Sequence, residues 1–185
     1  MTVDEYLAWA EGQPGRYELW DGVVCAMSPK RLGHVKMKLR VARALEDGIR
    51  RAGLPCDSLG DGATVRIDRH SAYEPDALVY CGPKLPRSAI EVPNPIIVVE
   101  ALSPSTRRID AIAKLEGYFK VASVRHYLII DPDVRTIIHY ERRDDSSILT
   151  HIVKDGDILF APPGLSIAVG DLYPDDEFPP EANAP

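Results

Sequence analysis

Residues 74–80 (EPDALVY) and residues 95–100 (PIIVVE) are two short apolar runs bounded by turn residues. Runs of this length, rich in β-branched and aromatic residues, predict buried β-strands. Each run carries a carboxylate at one end, Asp76 near the start of the first and Glu100 at the end of the second. How the two strands pair therefore decides whether these acids meet.

Antiparallel pairing with Tyr80 opposite Ile96 would place Asp76 opposite Glu100, and directly opposed residues have Cβ atoms about 4.5–5.5 Å apart. Carboxylates that close repel each other unless a cation or a shared proton lies between them. Mg²⁺ prefers oxygen ligands, so the pair predicts a divalent metal site. An Asp after proline is also a common turn residue, and a Glu at a strand end is often solvated. The two acids alone leave both interpretations open.

Length and composition predict one globular domain. The chain has 185 residues, of which 45% are hydrophobic and 27% charged, an ordinary globular balance. We expect the domain at residues 1–173 and an acidic, Pro-rich tail at residues 174–185. No apolar run approaches the ~20 residues needed to span a bilayer, and the start lacks a basic region followed by an apolar one. We therefore expect a protein without membrane association or secretory signal.

The three cysteines, Cys25, Cys56 and Cys81, are widely spaced and form no CxxC pair. This spacing argues against a zinc site and against a disulfide framework. It favours a reducing compartment, and we predict a cytoplasmic protein.

The net charge is −6, but the charged residues are unevenly distributed along the chain. Five acids and no Lys or Arg lie from Asp171 onward, whereas residues 29–51 hold eight bases and two acids. A local excess of positive charge can bind a polyanion even when the whole chain is acidic. Net charge therefore does not exclude a nucleic-acid ligand.

The first half of the chain predicts two helices and a hairpin. Thr2 with Glu5 forms a capping-box pattern that predicts a helix over residues 3–11. Asp21-Gly22 separates apolar runs at 17–20 and 23–27 and predicts a β-hairpin. Residues 32–52 predict a long helix. Its expected core stripe is Val35, Leu39, Ala42, Leu45 and Ile49, and its basic stripe is Lys36, Arg40, Arg43 and Arg50. The basic stripe is typical either of a solvated face or of a surface that contacts phosphates.

The second half predicts strands around one more helix. A strand is expected near residues 63–67, and a helix at about 107–121 begins after Ser and Thr residues that can cap it. Strands follow at 126–130, 136–140 and 148–153, with turns at Asp131-Pro132-Asp133 and Asp155-Gly156.

This order of elements and motifs resembles the PD-(D/E)xK nuclease superfamily, and in particular the Uma family of predicted restriction endonucleases. The matching segments are residues 17–24 (YELWDGVV), 27–29 (MSP) with His34, 74–76 (EPD), 98–106 (VVEALSPST), Asp110, Lys114, Tyr118 and 127–132 (YLIIDP). They span roughly residues 2–170. The resemblance implies an α/β fold of the mixed α+β kind, a restriction-endonuclease-like core with a mixed β-sheet flanked by helices.

The position of the lysine departs from the superfamily's plain pattern. That pattern has a lysine two residues after the acid on the same strand, where this chain has Leu102. The Uma-type arrangement moves the amine to the following helix, and Lys114 is the matching position. From residue type alone, Lys114 would be an exposed lysine in an i,i+4 pair with Asp110, worth a few tenths of a kcal/mol.

The resemblance implies metal-assisted hydrolysis of phosphodiester bonds. Asp76 and Glu100 would hold Mg²⁺, or Mn²⁺ as a substitute, with the carbonyl of Ala101 completing the inner shell. The metal would polarise a phosphoryl oxygen and lower the pKa of a bound water. Lys114 would orient that water or stabilise charge in the transition state. Glu18 matches an acidic position that often approaches the metal in this superfamily, and we predict it as a further ligand.

The predicted binding partner is DNA. His34 is either a phosphate contact or an ordinary residue at the helix start. Lys36, Arg40 and Arg43 would follow a DNA backbone without reading bases. A homodimer is expected by analogy, because cutting both strands usually needs two sites, and strand edges beyond Thr136 are a candidate surface. No organic cofactor is expected, since no Gly-rich phosphate loop with a lysine is present.

Other functions fit the residues less well. Ser103 and Ser105 lack a Gly-x-Ser-x-Gly elbow. A glycosidase pair of Asp76 and Glu100 would leave Lys114 without a role, and 7% aromatic residues offer few surfaces for sugars. The main alternative is a catalytically inactive nucleic-acid-binding or regulatory module on the same fold, since a fold does not guarantee its commonest activity.

Overall fold

The computed structural model describes residues 1–102 and 110–174. The helices are α1 (Val3–Ala10), α2 (Leu32–Ala52), α3 (Asp110–Lys120) and α4 (Val169–Leu172). The strands are β1 (Tyr17–Trp20), β2 (Val23–Ala26), β3 (Cys56–Gly60), β4 (Val65–Arg66), β5 (Ala72–Tyr73), β6 (Ala77–Cys81), β7 (Pro95–Ala101), β8 (His126–Asp131), β9 (Thr136–Arg142), β10 (Ile148–Val153), β11 (Asp157–Phe160) and β12 (Leu165–Ala168).

A six-stranded mixed sheet in the order β10-β9-β8-β7-β6-β3 forms the centre of the fold. Only β7 and β8 pair in parallel, and α3 lies in the connection between them. A second sheet of four short strands, in the order β2-β1-β5-β4, and the β11-β12 hairpin complete the architecture. The predicted mixed sheet flanked by helices is confirmed.

Successive side chains of the central strands point to opposite faces of the sheet, so the apolar side chains form two separate cores. On one face, Ile97 and Val99 of β7 pack with α2, the β11-β12 hairpin and α4. On the other face, Val98 of β7 packs with Tyr118 of α3 and Tyr73 of β5. Because successive strand residues point to opposite faces, Glu100 shares its face with Val98 and α3.

The pairing of β6 with β7 is antiparallel, as predicted. Ala77 lies opposite Val99, and the N–H of Asp76 donates to the carbonyl of Val99 at 3.0 Å. The same register continued by one residue sets Asp76 against Glu100. The predicted pairing of Tyr80 with Ile96 is wrong, because the register shifts after Val79 and Tyr80 lies opposite Pro95.

The N-terminal elements follow the predicted patterns. Thr2 and Glu5 form the expected capping box at the start of α1. β1 and β2 flank Asp21-Gly22, where both residues have positive φ. Asp21 and Gly22 therefore adopt the backbone that a tight two-residue hairpin requires.

Helix α2 has the predicted bounds, but the first half of its predicted core stripe is wrong. Val35 and Leu39 are 50% and 46% exposed, while Leu45 and Ile49 are buried as expected. The face that packs inward at the start of α2 carries His34 and Met37 instead. The inward face of α2 therefore begins at His34 and Met37 and not at Val35 and Leu39: His34 contacts the carbonyl of Ala101, and Met37 packs in the apolar core.

Cys56 and Cys81 form a disulfide between β3 and β6, which corrects the prediction that no disulfide is present. The two residues are directly opposed in the antiparallel register, with Cα atoms 3.9 Å apart. Their separation of 25 positions in sequence hides this pairing, because β3 follows α2 without a predicted strand signal. The cytoplasmic location stays a prediction, and the disulfide removes one of its supports.

Part of the predicted structure lies outside the described residues. This applies to the Ser and Thr residues of 103–106, to the expected helix start near residue 107, and to residues 175–185 of the expected tail. Within the described ranges, no helix combines the length and apolar character needed to cross a membrane.

A buried pair of histidines joins β8 to β9. The Nε2 of His126 lies 2.8 Å from the carbonyl of Pro162, which can only accept, so this nitrogen donates. The Nδ1 of a neutral His126 therefore accepts from the Nε2 of His139 at 3.0 Å. Burial, with the nearby His126 and His151, lowers the pKa of His139 to about 4. Glu141 on the same strand opposes that shift, but burial outweighs it.

The His139 pair should make the fold acid-sensitive. A histidine whose pKa is lowered by folding takes up its proton first in the unfolded chain, so its contribution is complete above about pH 6.5 and is lost as the pH falls toward 4. At pH 5 the loss amounts to about 2 kcal/mol. We expect His139→Gln to reduce the fall in unfolding free energy between pH 7 and pH 5, measured by urea denaturation. His70→Gln, at an exposed ring on another part of the chain, serves as control; equal pH profiles for both variants would contradict this role of His139.

Candidate active site

The predicted acidic and basic residues converge on one cavity. Asp76 precedes β6, Glu100 lies near the end of β7, Lys114 is on α3 and Glu18 is on β1. All four line a cavity of about 500 Å³, together with His34 from α2. Four elements distant in sequence thus bring their polar side chains to one end of the central sheet.

Lys114 forms the centre of the site. Its Nζ donates to Oε1 of Glu18 and to Oε1 of Glu100, each at 2.8 Å. The hydroxyl of Tyr118, one turn further along α3, donates to the same oxygen of Glu100 at 2.7 Å. Gly117 lets α3 approach this closely, because a Cβ there would lie 2.5 Å from the ring of Tyr73. The Lys114 ammonium is thus bound by one carboxylate from β1 and one from β7.

Both oxygens of Glu18 already have partners. Oε1 accepts from the backbone N–H of Glu74 at 2.9 Å as well as from Lys114, and Oε2 accepts from Nε1 of Trp20 at 3.1 Å. These contacts fix Glu18 beside the lysine. They favour a positioning role for Glu18, and its predicted role as metal ligand stays a prediction.

The charges in this cluster shift each other's pKa values. Burial by itself would lower the pKa of Lys114, but the adjacent carboxylates of Glu100 and Glu18 outweigh it and raise the pKa. Burial, together with repulsion from Asp76 and Glu18, raises the pKa of Glu100 to about 7, although Lys114 opposes the shift. Lys114 is therefore a permanent cation near neutral pH.

Asp76 is held from two sides. Its Oδ2 accepts from the backbone N–H of Ala101 at 2.7 Å, and its Oδ1 lies 2.8 Å from Nζ of Lys38. Nε2 of His34 lies 2.8 Å from the Ala101 carbonyl and 3.5 Å from Oδ2 of Asp76. Because a carbonyl only accepts, Nε2 of His34 carries a proton, and burial lowers the pKa of the ring. His34 thus orients the Ala101 carbonyl and Asp76.

Lys38 is a site residue that the sequence pattern did not reveal. Its Nζ bridges Asp76 to Asp61, and Asp61 is paired in turn with Arg16, whose guanidinium also donates to Glu74. The only signal was its spacing, four residues after His34 and so on the same helical face. That signal was obscured because Lys36 and Arg40 appeared to form the basic stripe.

The predicted basic stripe does not line the cavity. Lys36 and Arg43 are exposed on α2, whereas Arg40 is half-buried and donates to the carbonyl of Leu172 at 3.1 Å. Arg50 pairs with Glu46 and Asp47 on the same helix. At the cavity itself the additional basic residue is Lys30.

The donor set of the cavity fits a small divalent cation. The carboxylates of Asp76 and Glu100 and the carbonyl of Ala101 line the same cavity. Across residues 1–102 and 110–174, no group of three or more His, Cys, Asp and Glu side chains is arranged to hold a metal. Two carboxylates with one carbonyl, completed by water, still suit Mg²⁺, which is commonly held by one or two carboxylates and retains several waters.

The charge balance of the site also favours a divalent cation. The linked cluster holds five carboxylates, and three cationic side chains are paired with them. When every group is ionised, an excess of two negative charges remains, which one divalent cation would neutralise. The carboxylates are Glu18, Asp61, Glu74, Asp76 and Glu100, and the cations are Arg16, Lys38 and Lys114.

Sequence similarity to known proteins extends over nearly the whole chain. The model of the Uma2 family, described as "Putative restriction endonuclease", matches residues 3–170. Two uncharacterized proteins of Synechocystis sp. are also similar. The protein slr1290 is 29% identical over 175 residues, 94% of this chain and 91% of the relative. The protein sll1609 is 25% identical over 158 residues, 83% of this chain and 88% of the relative.

A solved structure shares the fold. It is described as a putative nuclease belonging to DUF820 from Anabaena variabilis, and it superposes with a TM-score of 0.72 at 16% identity, covering 93% of this chain and 97% of that chain. This agreement confirms the restriction-endonuclease-like arrangement of a mixed sheet flanked by helices.

Lys114 should contribute strongly to stability, because its removal leaves two buried carboxylates without a counter-ion. We expect Lys114→Met to lower the free energy of unfolding at pH 8 by about 3 kcal/mol, measured by urea denaturation. The matched control is Lys120→Met on the same helix, where the exposed pair with Asp68 at 3.4 Å should cost less than about 1 kcal/mol. Equal losses for the two variants would show that the buried cluster does not stabilise the fold.

Proposed function

The chain belongs to the Uma2 family of putative restriction endonucleases, and we propose that it is a metal-dependent endonuclease that hydrolyses phosphodiester bonds in DNA. One observation carries the proposal. The Lys114 ammonium lies between Glu18 and Glu100 in the same cavity as Asp76. A buried cation next to paired oxygen ligands is the combination that phosphoryl-transfer chemistry uses to bind a phosphate and stabilise its developing charge.

Asp76, Glu100 and the carbonyl of Ala101 would hold Mg²⁺, with Mn²⁺ as a possible substitute. The metal would supply a Lewis acid for a phosphoryl oxygen and a bound water of lowered pKa. The protein's own part is to keep these three oxygens in place: Asp76 through the backbone N–H of Ala101, Glu100 through Tyr118, and the Ala101 carbonyl through His34.

Lys114 would act as a fixed positive charge. Its raised pKa argues against a general base, because a base must be able to accept a proton near the operating pH. The ammonium would donate to a non-bridging phosphoryl oxygen and stabilise the negative charge of the transition state. In this role Glu18 is a positioning residue, since it holds the lysine at 2.8 Å.

We propose that DNA binding and self-association use two different exposed surfaces. Lys36 and Arg43 are exposed on α2 and stay the predicted contacts for backbone phosphates, whereas the contact of Arg40 with Leu172 makes it a weaker candidate. The homodimer remains a prediction. Its candidate surface is β10, an edge strand of the central sheet that exposes Ile148, Leu149 and Ile152.

The metal site should depend on Asp76. We expect the wild-type protein to bind Mg²⁺ in calorimetry and to cleave DNA with Mn²⁺. Asp76→Asn keeps the shape of the side chain but removes its charge, so the affinity for Mg²⁺ should fall at least about tenfold and cleavage should be lost. Asp47→Asn, at an exposed acid on α2, is the control. Equal Mg²⁺ binding by wild type and Asp76→Asn would reject the metal pair, and metal binding without cleavage of any DNA form would favour the inactive binding module.

Lys38 should compete with the metal for Asp76. Lys38→Met removes this ammonium and should strengthen Mg²⁺ binding about fivefold. That change equals about 1 kcal/mol, the size of an ion pair that is partly screened by water. Asp61→Asn removes the alternative partner of Lys38 and should weaken Mg²⁺ binding, because the lysine then remains on Asp76. Calorimetry on the protein alone measures both changes, and Lys36→Met, two residues away on the exposed face, should change nothing. A shift in the same direction for both site variants would contradict the competition.

A further inference from the structure

We infer that the substrate strand enters this cavity unpaired, so that the preferred substrate is single-stranded DNA or a single-stranded end of a duplex. The inference rests on the proposed nuclease function and adds the form of DNA on which it acts. It is carried by the depth at which the reactive groups lie and by the chemistry of the walls above them.

Three charged groups of the site are largely buried, and Glu100 is partly buried. Asp76 is 5% exposed, Glu18 is 7% exposed and Lys114 is 9% exposed. A phosphodiester in an intact duplex lies on the outside of a stiff rod, whose persistence length is about 150 base pairs. Bringing one phosphate of such a rod into a recess distorts the duplex more than it distorts a flexible single strand.

The size of the cavity suits one nucleotide. A volume of about 500 Å³ lies in the range of roughly 300–1,000 Å³ that takes one small-molecule ligand. A base pair with both backbones would need far more room. In a duplex, the nucleotide would have to be extruded from the stack, which costs a few kcal/mol, and an already unpaired nucleotide avoids that cost.

The cavity has a polar floor and an apolar wall. We call the charged lining residues Glu18, Asp76, Glu100 and Lys114 the floor, and the apolar lining residues Trp20, Ala26, Met27 and Leu102 the wall. Apolar and aromatic surfaces bind the faces of unpaired bases with little regard for sequence. A duplex buries those faces in its own stack and could not use this wall.

Trp20 is held rigidly between the floor and the wall. Its indole N–H donates to Glu18, and its ring packs on Tyr73 with centroids 4.4 Å apart. Nζ of Lys114 lies 5.9 Å from the Trp20 ring centroid. A phosphate bound at Lys114 would therefore have its own sugar and base beside this ring. Lys30, which also lines the cavity, adds a positive charge that attracts the strand.

The first test compares cleavage of three forms of one sequence by the full-length protein with Mn²⁺: the single strand, the blunt duplex, and the duplex with a single-stranded overhang. We expect the single strand and the overhang to be cut at least about tenfold faster than the blunt duplex, since extrusion of a base costs a few kcal/mol. Equal or faster cleavage of the blunt duplex overturns the inference and leaves the proposed function intact. If Asp76-dependent cleavage occurs on none of the forms, the proposed function fails instead.

The second test narrows the cavity without touching its charged floor. Ala26→Leu adds apolar bulk at the wall, so it should slow cleavage of the single strand at least about tenfold while Mg²⁺ affinity in calorimetry stays unchanged. Val23→Leu adds similar bulk on the same strand β2, at a side chain that is 64% exposed and outside the cavity, and it should cleave as the wild type does. Wild-type cleavage of the single strand by Ala26→Leu would show that the nucleotide does not occupy this space.

Discussion

The buried ammonium of Lys114 is the contact on which the site depends. Burying one charge costs several kcal/mol unless opposite charges and hydrogen bonds compensate for it. Here the compensation comes from Glu18 on β1 and Glu100 on β7. Because α3, the small sheet and the central sheet each contribute one group, none of these elements can move without leaving a charge unpaired. The ion pairs of Lys114 therefore connect α3 to both the small sheet and the central sheet.

The remainder of the site follows from the central sheet. The register of β6 with β7 sets Asp76 against Glu100, and the backbone N–H of Ala101 holds Asp76 in that position. Burial, together with repulsion from Asp76 and Glu18, raises the pKa of Glu100 to about 7, and Lys114 only partly offsets this rise. With three paired cations against five carboxylates, the excess of negative charge in the cluster suits a divalent metal.

Prediction from sequence succeeded where a local pattern has one structural solution. The capping box of α1, the Asp-Gly hairpin and the bounds of α2 were all predicted from neighbouring residues. It failed where distant parts of the chain meet. The stripe through Val35 and Leu39 was wrong because tertiary packing buries the face of α2 that carries His34 and Met37, and the Cys56–Cys81 disulfide joins strands whose pairing no local motif signals.

The chain's linear order was enough to identify the family, the mixed sheet and the candidate acids, because strand periodicity and motif spacing are properties of neighbouring residues. The partners of those acids were settled only by folding. Lys38 occupies Asp76, both oxygens of Glu18 are used by other groups, and His34 holds a backbone carbonyl. Such contacts depend on which side chains meet across elements and on how much water burial leaves between them. The sequence of a single strand or helix determines neither these contacts nor the remaining water.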